Sequence, residues 1–200
     1  MARKRAYLLA AALAATLSLT ACQTSLPPTT VGTDSAYWSA ATAHNVALSS
    51  VLLRGRMGVT TADGSTRLNF TLDMQDRDRY TLTLTTAVGT TAARFKVEGK
   101  DVSLTADGIT YTGASIGELF SEHFDVTLPE GDLASVLLAR PMEGMVFDET
   151  GKPLGVNLFP CQFLYTDFQG FGPYALPKGM LMRSPDVRLN LEIRDVERIR

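Results

Sequence analysis

The sequence predicts an α+β fold, mainly β, in which an antiparallel sheet with one apolar face wraps an apolar pocket. Three observations carry this. Leu68, Phe70, Leu72 and Met74 share one parity while Asn69, Thr71 and Asp73 hold the other. Side chains alternate across a pleated strand, so such a run has one apolar face and one wet face. Tyr80, Leu82 and Leu84 repeat the pattern with threonines opposite, and Ala92–Val97 follows after a second polar break. Breaks this short join neighbouring strands as an antiparallel meander. The last run alternates too, with Val187, Leu189, Leu191 and Ile193 set against Arg188, Asn190, Glu192 and Arg194. A sheet that is apolar on one side only must curl around something or be covered.

The chain divides into three parts. Residues 1–21 read as a targeting leader: Arg3-Lys4-Arg5 is the basic start, and Ala6–Leu19 is apolar but short for a bilayer span. Leu19-Thr20-Ala21-Cys22 looks like a bacterial lipobox, which implies cleavage before Cys22 and acylation of that residue. Gln23 after the cysteine, rather than Asp, favours the outer membrane over inner-membrane retention. Residues 22–33, the lipidated Cys22 and a stretch rich in Pro, Thr and Ser, read as a flexible tether. Residues 34–200 are the domain, long enough for one real core.

Asp34 or Ser35 caps a helix expected to run to about Leu53, with Tyr37, Ala41, His44, Leu48, Val51 and Leu52 on one side and Trp38 beside them. This helix is expected to cross the open side of the sheet. A first strand at Arg54–Thr60 leads through Ala62-Asp63-Gly64 into the Thr66 strand. Gly55 and Gly58 permit a bend or bulge in it. Strands Val102–Thr105 and Ile109–Thr112 follow turns at Gly99-Lys100-Asp101 and Asp107-Gly108. Ser115 and Glu118 stand at capping-box spacing for a helix to about Phe124. Pro129-Glu130 opens a second helix, apolar all round and so buried or a lid, which Arg140-Pro141 stops. Further hairpins are expected from Val146–Phe147, Leu154–Phe159 and Cys161–Phe168, with a broken stretch at Gln169–Pro177 before Met180–Met182. In that stretch Phe168, Phe171 and Tyr174 mark either a cavity rim or core.

No residue pattern assigns a reaction. A formal net charge of −2, made more acidic when the basic leader leaves, gives no reason to expect nucleic acid. No Cys or His cluster has metal spacing, and Gly151-Lys152 lacks the rest of a phosphate loop. Asp73, Asp76 and Asp78 interleave with Arg77 and Arg79 and read as solvated turn charges. His44 reads as structural. A His123–Cys161 base and nucleophile pair would make a hydrolase, but Cys161 lies in the apolar run Leu158–Leu164 and reads as a buried small hydrophobe. The chain is read as a non-enzyme without cofactor or metal.

The order of features resembles the LolA/LolB family of lipoprotein carriers, and within it the outer-membrane receptor branch. The resemblance rests on the lipobox, the Trp38 helix leading into Leu53-Arg54-Gly55, Asp78-Arg79-Tyr80, the Thr85–Thr91 turn, the apolar helix before Arg140-Pro141, and Leu176-Pro177. It implies an unclosed antiparallel β-barrel with a helical lid over an apolar cavity. It also implies a monomeric receptor that takes acylated lipoprotein cargo from a LolA-like periplasmic carrier and inserts it into the outer membrane. The protruding membrane-delivery loop of that branch falls on Ala87-Val88-Gly89, with Val88 at the tip where the family usually has a larger Leu. Leu68, Phe70, Leu72, Tyr80, Leu82, Leu84, Phe95, Leu133, Leu137, Leu189 and Leu191 are the expected lining for acyl chains. The alternative is a lipid-anchored binding or assembly protein of the same fold with another lipid or protein ligand.

Overall fold

The computed structural model describes residues 27–124, 126–129 and 132–199. The leader, Cys22 and Gln23–Leu26 lie outside them. Among the described residues no helix is long and apolar enough to cross a membrane.

A twelve-stranded sheet organises the chain. Its strands are β1 (Pro28–Thr29), β2 (Val51–Thr61), β3 (Gly64–Asp76), β4 (Arg79–Thr86), β5 (Thr91–Glu98), β6 (Asp101–Ala106), β7 (Ile109–Gly113), β8 (Met145–Phe147), β9 (Pro153–Leu158), β10 (Cys161–Phe171), β11 (Tyr174–Arg183) and β12 (Arg188–Ile199). Among the described residues three helices accompany it: α1 (Ser35–Ala47), α2 (Ile116–Phe124) and α3 (Leu133–Leu137). The spatial order is β7-β6-β5-β4-β3-β2-β12-β11-β10-β9-β8, with β1 added to β10. Every pairing is antiparallel, and β2 and β12, from opposite ends of the chain, pair in the middle of the sheet. The strands β7 and β8 remain as free edges, so the barrel is unclosed. The helices cover its concave side as a lid.

The alternation sets the register. Leu72 faces Leu53 on one side and Leu82 on the other, and Leu82 faces Phe95. The inner residues of consecutive strands therefore meet and bury a continuous core. Gly55 has a definite reason to be glycine: a β-carbon there would collide with the Glu192 carbonyl and approach the Phe70 ring to 2.6 Å. The expected bulge lies opposite, in β12 between Ile193 and Asp195. Asp107 and Gly108 both take positive φ, as their tight turn requires.

Four expectations need correction. Helix α1 ends at Ala47 rather than near Leu53, because Val51 and Leu53 already point inward from β2. Its buried face is Trp38, Ala41 and Asn45, a stripe rotated from the expected one so that it takes in Trp38 and leaves His44 exposed. The apolar helix before Arg140 is only Leu133–Leu137, capped by the Asp132 carboxylate, which accepts from the Ser135 amide at 3.1 Å. The stretch Gln169–Pro177 is a regular hairpin with its turn at Gly172, and Phe168 and Phe171 are core residues. Half of the capping box forms: Ser115 Oγ accepts from the Glu118 amide, while Glu118 Oε2 accepts from the amide of Ala114, one residue before the cap. Within the stretch expected as tether, Pro28 and Thr29 pair with Phe171 and Gly170.

Candidate functional site

Between the sheet and the lid lies a cavity whose wall is wholly apolar. One side comes from strands, with Phe70, Leu82, Leu84, Leu189 and Leu191 from the expected lining. The lid side comes from Leu133 and Leu137, also expected. The sequence reading missed Met57, Phe163, Met180 and Met182 on the strands, and Phe120, Leu128 and Val136 on the lid. The strand residues among these share the inward parity of their neighbours, so alternation across β10 and β11 was the signal that pointed to them.

Four expected positions lie outside the lining. Leu72 and Tyr80 fill the core toward the end where β3 turns into β4. Phe95 is covered by the Phe120 ring, stacked at 4.4 Å between centroids with 9° between planes. Leu68 packs half-buried beside the core, at the other end of the barrel. The cavity is thus confined to the half of the barrel where β2 turns into β3 and β4 turns into β5. Its volume is about 70 Å³, far below the ~300–1,000 Å³ of a site that holds an organic ligand. The hollow is nearly shut at rest.

Different bonds hold the two parts of the lid. The ring of Phe120 on α2 leans on Phe95, and Phe124 completes the aromatic group at 5.4 Å from Phe120. Beyond α3 the contacts are polar. Tyr165 Oη donates to the Val136 carbonyl at 2.8 Å, and burial pushes the phenol pKa upward. Arg140 is buried and donates to the carbonyls of Asn45 and Leu48, the last turn of α1. The Asn45 amide in turn donates to the carbonyls of Leu138 at 3.2 Å and Ala175 at 2.7 Å. Helix α1 is thereby fastened to β11 and to the chain that leaves α3.

The titratable residues considered for chemistry do not converge. His123 packs on the Tyr111 ring at 3.9 Å, whereas the Cys161 thiol donates to the Thr127 carbonyl at 3.6 Å. Burial raises the thiol pKa, which makes it a poorer nucleophile. Asp76 pairs with Arg79, whose hydrogen bond holds the carboxyl below the usual range. His44 is exposed and sits 5.8 Å from the Tyr174 ring.

The residues expected to form a delivery loop stand apart from the cavity. Thr86 and Thr90 close the loop, with the Thr86 amide donating to the Thr90 carbonyl at 2.8 Å. Gly89 takes φ +88, and Val88 projects with 89% of its surface exposed.

Solved structures share this arrangement. A LolA superfamily protein from Nitrosomonas europaea superposes with a TM-score of 0.54 at 8% identity, over 83% of this chain and 93% of that one. A domain described as an outer membrane lipoprotein-sorting protein, from Vibrio parahaemolyticus, superposes with a TM-score of 0.51 at 10% identity, over 76% of this chain and 86% of that one. At such identities the likeness concerns the fold. No curated protein sequence matches the chain. The family model of the outer membrane lipoprotein LolB matches residues 50–195, from the first core strand into the last, and the chain belongs to the LolB family, whose members carry lipoproteins and are not enzymes.

Proposed function

We propose that this chain is an outer-membrane receptor, moored by an acylated Cys22, that accepts lipoproteins from a LolA-like carrier in the periplasm. It holds their acyl chains in the cavity under the lid and passes them into the outer membrane, with Val88 and its neighbours Ala87 and Gly89 as the delivery loop. The observation that carries this is a wall without a single polar group between a half-barrel and its helical lid. Such a wall suits fatty tails and offers nothing to a polar substrate.

Energetics support a transfer role without an external energy source. Burying an acyl chain in one apolar hollow or another exchanges similar terms, each ~25 cal/mol per Å². A modest difference in affinity then sets the direction. An acyl anchor on Cys22 adds ~0.8 kcal/mol per buried CH₂, so several chains hold the receptor at its destination. Because the resting cavity is so small, cargo enters by displacing the lid rather than by filling a preformed tunnel.

The test is transfer. A LolA-like carrier loaded with a lipoprotein is mixed with the receptor, and the cargo is followed by pull-down. Passage of cargo to the receptor is expected; retention on the carrier refutes the reading. Val88→Glu should leave capture unchanged and impair delivery to membrane, and unchanged delivery removes the loop from the mechanism. Phospholipid found in the cavity by native mass spectrometry, without lipoprotein transfer, would favour a binding or assembly protein with a different ligand.

A further inference from the structure

The three most exposed large apolar side chains among the described residues all lie at one end of the sheet. Phe159 is 97% exposed in the β9–β10 turn, Val88 is 89% exposed in the β4–β5 turn, and Ile109 is 55% exposed at the β6–β7 turn. The register places these turns at the same end of the sheet. Gln162 pairs with Arg183, Arg183 with Arg188, Arg188 with Thr60, Thr60 with Ser65, and three residues further Leu68 with Thr86. The cavity lies toward the same end: Leu84 lies three residues from Ala87, and Phe163 three residues from Pro160.

On the outer face just below these turns, Arg67, Arg183 and Arg188 surround a groove of about 490 Å³ floored at Gly58. Among the described residues none of the three forms an ion pair, and no acidic side chain lines the groove. Asp63 and Asp107 stand in the turns themselves, and Asp186 accepts a hydrogen bond from the Thr127 hydroxyl at 3.1 Å. Apolar tips flanked by guanidinium groups that lack partners match the two layers of a bilayer surface, acyl boundary and phosphates.

We propose that this end of the barrel docks on an anionic phospholipid bilayer, with Val88, Ile109 and Phe159 entering the acyl boundary and Arg67, Arg183 and Arg188 binding lipid phosphates. The inference rests on the delivery reading and extends it from one loop to a rim built by at least three turns. Docking in this orientation brings the cavity end of the barrel to the membrane, so an acyl chain released as the lid lifts passes from one apolar medium to another with little exposure to water. It also places a demand on the tether, because β1 pairs with β10 at the opposite end. Extended chain from Cys22 to Asp34 reaches about 40 Å, against roughly 35 Å for the eleven residues of β10. The rim therefore meets the bilayer when Pro28–Thr29 parts from β10.

The test uses the full mature chain reconstituted in vesicles of phosphatidylethanolamine and phosphatidylglycerol, with vesicles of phosphatidylcholine as comparison. An environment-sensitive fluorophore is placed on Phe159→Cys and, at the other end of β9, on Leu154→Cys; Cys161 is buried and does not compete. The Phe159→Cys probe is expected to shift to the blue and to be quenched by nitroxide lipid on the anionic vesicles, and the Leu154→Cys probe to stay in water. Changing Arg67, Arg183 and Arg188 to Gln should lower the docking equilibrium about a hundredfold, since each basic side chain near an anionic surface contributes a factor of about five. A water-like Phe159→Cys probe, or equal quenching on phosphatidylcholine, overturns the proposal. Capture of cargo from the carrier is measured on the same variants in solution. Normal capture with no docking refutes the rim alone, whereas failed capture refutes the receptor reading itself.

Discussion

Replacing Phe120 with Ala separates a ring that shuts the hollow from one that grips cargo. Phe120 is half-buried, stacked on Phe95, and lines the cavity from α2. Deleting a fully buried Phe costs ~3–5 kcal/mol, and an aromatic stack contributes ~0.5–1.5 kcal/mol of that kind of loss. A half-buried ring therefore corresponds to about 2 kcal/mol. If cargo enters by lifting α2 off β5, the variant removes the same ~2 kcal/mol from the work of opening, about thirtyfold in the population of the open form. Some of this is returned, because the open complex loses ring contact with the acyl chain. We expect a lower urea midpoint together with five- to tenfold tighter binding of a fluorescent fatty-acid analogue. Weaker binding at the same loss of stability would show that the ring holds cargo, and the closed-lid account of the small cavity would fail.

Two further outcomes follow from local geometry. Gly55→Ala forces a β-carbon against the Glu192 carbonyl and the Phe70 ring, and overpacking of this sort costs ~1–3 kcal/mol; an unchanged urea midpoint would contradict the packing of β2 against β3 and β12. Asp148 accepts from the amides of Thr150 and Lys152 and from the Thr150 hydroxyl, which holds its carboxyl below the usual range. The folded pKa lies beneath the unfolded value, so this contribution is fully present above about pH 4 and fades as the pH falls through the folded pKa. Amide exchange at Thr150 and Lys152 should quicken below that point, and exchange that ignores pH once its intrinsic dependence is removed would refute the link.

The strands were legible because alternation repeats in each of them and glycine-bearing turns punctuate it. Once Leu68–Met74 faces inward, the register of β2, β4 and β5 has little freedom, since a slip of one residue would turn every apolar side chain outward. The end of α1 was not legible, and the reason is specific. Val51 continues the helical spacing from Ala41, His44 and Leu48, yet Val51 and Leu53 also fit a strand. Tertiary pairing of β2 with β3 and β12 decided between two local patterns of similar strength. The lid side of the cavity was legible in Leu133 and Leu137 but not in Phe120, which reads locally as one more apolar residue of a capped helix. Phe159 carried no signal at all, because exposure at a turn depends on where the chain folds back and not on residue type.

Arg140 shows how much a stop signal conceals. In the sequence it reads as the residue before a proline, the end of an apolar helix. In the fold it is buried and bonded to the last carbonyls of α1, the negative end of that helix. Among the described residues no carboxylate forms an ion pair with it; burial pushes its pKa down and Arg77 adds to the same direction, while the charge of Asp132 works the other way. Each bond from a charged donor is worth ~1.5–3 kcal/mol, whereas removing the guanidinium returns several kcal/mol of desolvation. The carbonyls of Asn45 and Leu48 would be left without their donor, so the balance falls on the side of loss. Arg140→Leu should destabilise by about 2–4 kcal/mol, and Arg140→Lys should rescue little because an ammonium cannot span two carbonyls as the fork does. Hydrogen exchange in the last turn of α1 should rise in both variants. Full rescue by Lys would mean that charge alone matters. Retained protection would mean that Asn45, through Leu138 and Ala175, fastens α1 without help. If the fork is the fastener, the chain after α3 is fixed to α1 and β11, and opening falls to α2, held by its rings on Phe95 and by the buried Ile116 and Leu119.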